Sequence, residues 1–87
     1  MLGFARIGDR VVTAKGIGII MRGSQNTLIE RFPAARVGDM VLLPRGVGII
    51  IQGSSTVKIN NLQAARMLDR TMPPGIIITS ASRTLTK

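Results

Sequence analysis

The chain repeats itself, and that repeat limits its fold more than any other feature. Ala5-Arg6-Ile7-Gly8-Asp9 returns as Ala35-Arg36-Val37-Gly38-Asp39, and again as Ala65-Arg66-Met67-Leu68-Asp69, each 30 residues on. Residues 5–24 and 35–54, aligned without gaps, are identical at 11 of 20 positions. The third unit is shorter by three residues: Pro73-Pro74-Gly75-Ile76-Ile77-Ile78 stands where Pro44 to Ile51 stand in the second. The units are read as about 5–34, 35–64 and 65–87 of a single domain, residues 1–87. A unit of this size cannot bury its own apolar face, whereas three around one axis can. The expected fold is therefore all-β: a small pseudo-threefold body of three hairpin-like repeats of about 30 residues.

Each unit reads alike. An Ala-Arg-x-Gly-Asp turn opens it, followed by a short apolar stretch, Val11-Val12 or Val41-Leu42-Leu43. A Gly-punctuated segment comes next, Lys15-Gly16-Ile17-Gly18 or Arg45-Gly46-Val47-Gly48, and is read as a loop. Then comes a β-branched strand, Ile19-Ile20-Met21 or Ile49-Ile50-Ile51. After a Gly-Ser turn, a closing strand alternates Thr56-Val57-Lys58-Ile59, the period of a half-buried strand. Residues 61–68 also fit a two-turn amphipathic helix. Their counterpart holds Pro33 and Gly38, which break helices, so a turn is the preferred reading.

Composition removes several options. The chain has no Cys and no His, so it has no disulfide and no thiolate or imidazole metal ligand. Twelve basic residues against four acids give a net charge of +8, which favours anionic partners. A basic nucleic-acid-binding β-module is the alternative function. Against it, only Phe4 and Phe32 could offer stacking platforms, and the basic residues are spread through all three units. Catalysis finds no support, since neither a nucleophile–base pair nor a phosphate loop is present. No secretory signal is visible at residues 1–9, so synthesis in the cytoplasm is expected.

The segment Pro33-Ala34-Ala35-Arg36-Val37-Gly38-Asp39, with Gly53-Ser54-Ser55-Thr56-Val57-Lys58-Ile59-Asn60 leading into the next Ala64-Ala65-Arg66, resembles the PAAR family. The resemblance implies a sharp cone, capping the trimeric β-helical spike of a contractile injection machine with one copy per trimer. It implies transient contact with a target cell envelope, no small-molecule substrate and no catalytic activity. It places the protein at a phage tail tip or on a secretion-system spike, and the small size and missing metal ligands favour a phage baseplate. Relatives hold zinc near the vertex through His and Cys. The matching positions here are Lys15, Leu43, Arg45 and Met72 or Pro73, none of which suits Zn²⁺. A metal-free vertex is therefore expected, packed by Leu43, Met72, Pro73 and Pro74. Arg6, Arg36 and Arg66, spaced three residues before Asp9, Asp39 and Asp69, are read as turn-fixing ion pairs rather than as a catalytic carboxylate cluster. Gly8 and Gly38 belong to the same turns. Lys15 and Arg45 are candidate vertex charges for lipid phosphates, with ordinary solvated loop charges as the plainer reading.

Overall fold

The computed structural model describes residues 2–14, 16–44, 46–79 and 85–86. It is built from short strands, and none of the described residues is helical. Residues 61–68, which also fitted a helix, form one short strand, Leu62–Gln63, two bridge residues and a turn.

Three hairpins make the body. They are β2 (Arg10–Thr13) with β3 (Gly16–Ile20), β6 (Met40–Leu43) with β7 (Gly46–Ile50), and β10 (Arg70–Met72) with β11 (Gly75–Ile77). Each hairpin pairs with the next, β3 with β6, β7 with β10 and β11 with β2, so the six strands close a barrel. Closure removes the exposed strand edges that threaten a small sheet protein. Alternation sends Val11, Ile20, Val41, Ile50 and Ile77 inward, all fully buried. Full burial of such a side chain is worth about 1.5–3 kcal/mol. Thr71 occupies the place of Val11 and Val41, and its hydroxyl satisfies itself by donating to the Pro73 carbonyl at 3.0 Å.

One end of the barrel is closed by a ring. Ala5 N–H donates to Ala65 C=O (2.9 Å), Ala35 N–H to Ala5 C=O (3.0 Å) and Ala65 N–H to Ala35 C=O (3.0 Å). These three bonds form a closed cycle, the backbone signature of the pseudo-threefold axis. The alanine methyls are fully buried beneath the barrel core. One residue earlier the chain faces the other way, so Ala34 and Ala64 join Ile29 and Ile59 in a second cluster, with Phe4 and Val57 packed against it.

Small hairpins flank this ring: β4 (Leu28–Ile29) with β5 (Phe32–Pro33), and β8 (Lys58–Ile59) with β9 (Leu62–Gln63). Their two-residue turns, Glu30-Arg31 and Asn60-Asn61, all take positive φ. The third such pair joins the two ends of the chain, β1 (Leu2–Gly3) against β12 (Leu85–Thr86).

The segments read as Gly-rich loops differ from that expectation. Gly16, Ile17 and Gly18 lie within β3, and Gly46, Val47 and Gly48 within β7. Gly18, Gly48 and Gly75 are there for space. A Cβ would lie 2.7 Å from the Leu42 carbonyl oxygen at Gly18, 2.7 Å from that of Met72 at Gly48 and 2.9 Å from that of Val12 at Gly75. Neighbouring strands converge here, at the end opposite the ring, and the barrel narrows to a cone.

The Ala-Arg-x-Gly-Asp turns use glycine differently. Gly8 and Gly38 have φ of 92° and 94°, and Leu68 holds the same position at 74°. A non-glycine residue there costs about 1–2 kcal/mol. Leu68 is also largely exposed, so little packing is lost with its side chain. Leu68→Gly is expected to stabilise the fold by about 0.5–1 kcal/mol after glycine's greater unfolded-state freedom is deducted. A thermal melt checks this, and a lowered midpoint contradicts it.

Candidate docking face and apex

The two ends of the cone differ in chemistry. At the ring end, each Asp side chain folds back on its own turn. Asp39 Oδ2 accepts from Arg36 N–H (2.7 Å) and Nε (3.0 Å), and Oδ1 accepts from a terminal guanidinium N–H at 3.0 Å. Asp69 repeats this with Arg66 at 2.7, 3.1 and 2.9 Å. The three carboxylates are almost wholly buried. The hydrogen bond to Asp39 is the main cause raising the Arg36 pKa, and that to Asp69 does the same for Arg66. A raised cationic pKa means this contribution is complete below the unfolded value and is lost only in strong alkali.

The first unit departs from the pattern. Arg6 reaches Asp9 more loosely, at 3.4 Å, lies 3.8 Å from Glu30 and stacks 4.9 Å from the Phe32 ring centroid. Asp9 Oδ1 instead accepts from the Thr79 hydroxyl at 2.9 Å. Asp39 and Asp69 are saturated by their own turns, and Asp9 by its turn and Thr79, which leaves all three holding geometry.

Pro33, Ala34 and Ala35 run from the small hairpin into the ring, and Arg36, Gly38 and Asp39 make the turn that follows. The exposed apolar side chains on the small hairpins are Leu28, Phe32 and Leu62. Sequence reasoning missed these three. Their signal was exposure opposite Ile29 and Ile59, which single-sequence periodicity over two-residue strands cannot give.

At the apex, Thr13, Ala14, Leu43, Pro44, Gly46, Val47, Pro73 and Pro74 surround a small apolar cavity. Leu43 is half-buried and packs against the barrel core. Met72 does not join it: its side chain points outward, 53% exposed, because it alternates with the inward Thr71. The expectation that Met72 packs the vertex is corrected accordingly. Lys15 and Arg45 lie outside the described residues. The apex residues do not fit zinc. The Thr13 hydroxyl donates to the Gly16 carbonyl at 2.8 Å, and Leu43, Pro44, Pro73 and Pro74 offer no ligand side chain. Among the described residues no group of three or more His, Cys, Asp or Glu is found.

Residues 12–79 match the family model of the PAAR motif. The chain belongs to the PAAR family. The match covers most of the chain and includes two of the three ring alanines, two of the three turns and all three apical connections. PAAR proteins are structural spike-tip proteins of contractile injection machines, and this chain has that role, associated with a spike protein. No curated protein matches.

Proposed function

We propose that this chain caps the blunt end of a trimeric β-helical spike as a single copy, ring end down and apex forward. The closed cycle of Ala5, Ala35 and Ala65 hydrogen bonds carries this reading. A trimer presents three identical edges around its axis, and one chain can meet them equally only if it carries three similar faces itself. The exposed Leu28, Phe32 and Leu62 supply apolar contact beside the ring. The apex works without a metal, its place taken by Leu43 and the prolines, and the cap makes only transient contact with the target envelope. It has no substrate and no enzymatic role. Its machine is a phage-type tail with a baseplate, a reading supported by an apex that dispenses with metal ligands.

Co-purification with the C-terminal β-helix of the cognate spike tests the orientation. Phe32→Asp combined with Leu62→Asp is expected to abolish co-purification while leaving the thermal melt of the isolated cap nearly unchanged. Undiminished co-purification places docking elsewhere on the cone.

A further inference from the structure

The outer wall of the barrel is apolar on every side. Val12, Ile17, Ile19, Leu42, Val47, Ile49, Met72 and Ile76 alternate with the core residues and face outward, each 40–57% exposed. All six strands contribute to it, and cross-strand register pairs these residues with one another or, at the ring-side margin, sets Arg10 opposite Ile19 and Arg70 opposite Ile76. Met72 lies opposite Ile49, Leu42 opposite both Ile19 and Val47, and Val12 opposite both Ile17 and Ile76. This is a girdle, not a patch.

Three observations narrow what can cover it. First, the girdle encircles the axis, so a second copy docking on one side would leave the other faces wet. Second, the barrel is closed, so its strands bring no unpaired edge into an apolar medium. Closed barrels are one of only two backbone architectures that lipid accepts. Third, strands of three to five residues, tilted as in a barrel, give the girdle a height of roughly 8–13 Å. One leaflet contributes half of a hydrocarbon core of about 30 Å.

Charge is placed to match. Arg10 and Arg70 open β2 and β10 at the ring-side margin of the girdle, and Arg22 follows β3 on the same side. All three are exposed, and no carboxylate of the described residues pairs with them. Guanidinium groups at the edge of an apolar belt suit the phosphates of a headgroup layer.

We propose that the outer wall of the cone is a lipid-contact surface that seats in one leaflet, with Arg10, Arg22 and Arg70 at the phosphates. This deepens the spike-tip reading and rests on it for orientation. A girdle this short reaches no further than one leaflet, so the seat is reversible, which suits a tip that passes through a membrane.

The test uses the full chain and two kinds of vesicle, phosphatidylcholine alone and phosphatidylcholine containing phosphatidylglycerol, with binding read by flotation. The wild-type chain floats with the anionic vesicles and retains part of that binding at high salt, where the electrostatic share is screened. Ile17→Ser with Val47→Ser, both outward and more than half exposed, is expected to weaken partitioning about tenfold or more. Arg10→Ser with Arg70→Ser is expected to remove the preference for anionic vesicles. Unchanged binding of the Ile17/Val47 variant overturns the proposal, since adsorption would then be electrostatic alone. So does failure to float with either vesicle, or self-association that the same variant abolishes. Should that variant not fold, photo-crosslinking of the wild-type chain from acyl-labelled lipid decides. Adducts on Val12, Ile17, Val47 or Ile49 support the proposal, and adducts only on the small hairpins overturn it. A chain that caps its spike but ignores vesicles overturns this inference alone. One that floats but forms no spike complex overturns the capping and leaves the lipid surface standing.

Discussion

Gly48→Val is expected to destabilise the fold by about 3 kcal/mol or more, at the upper end for an inserted side chain. At Gly48 the first added carbon already lies 2.7 Å from the Met72 carbonyl oxygen and 3.1 Å from the Pro73 ring. That oxygen belongs to β10, which pairs with β7 through Met72 and Ile49, so it cannot retreat without opening the barrel seam. For a domain of this size the loss corresponds to a fall in Tm of roughly 12–24 °C. Gly46 is the control, because a Cβ there meets none of the described residues within 4 Å and its φ is not positive. Gly46→Ala should leave Tm unchanged or raise it slightly. Equal loss at both positions would mean that the strands do not converge at Gly48.

The second large effect belongs to the turns. Asp69→Ala removes one carboxylate and with it three hydrogen bonds to Arg66, one from the backbone and two from the guanidinium. Asp69 is 2% exposed, while the Arg66 side chain keeps some contact with water. Breaking a fully buried pair costs about 3–5 kcal/mol, and the partial exposure of Arg66 puts this one at the low end, about 3 kcal/mol. Asp69→Asn keeps an acceptor for the Arg66 N–H and loses the charge, so about half that cost is expected. The two variants separate by thermal melting at neutral pH. Equal losses would show that the charge contributes nothing and the acceptor everything.

The legible part of the fold was the part written three times. Arg and Asp recur at one spacing, and three such turns around an axis follow from the repeat alone. The alanines before each Arg were legible as a motif but not as a ring, because nothing in a sequence says which backbone groups meet across an axis. The Gly-rich stretches misled. Turn chemistry is the usual reason for such spacing, whereas Gly18 and Gly48 are strand residues that admit a neighbouring carbonyl. The isoleucine runs hid the outer wall for a related reason. Ile49-Ile50-Ile51 is apolar on both faces, so no alternation marks Ile50 as buried and its neighbours as exposed. The pairing of the two chain ends was invisible because Leu2-Gly3-Phe4 is identical at no position to Phe32-Pro33-Ala34, the segment it corresponds to beside the ring. At the apex, the absence of metal-ligand types was legible from composition. The outward turn of Met72 was not, since it depends on which of Thr71 and Met72 faces the core.

The central claim is that threefold character within one chain matches threefold symmetry in a partner. Native mass spectrometry of this chain co-expressed with the C-terminal β-helix of its cognate spike tests it most directly. One copy per spike trimer is the predicted mass. Three copies per trimer, or no complex, would contradict it.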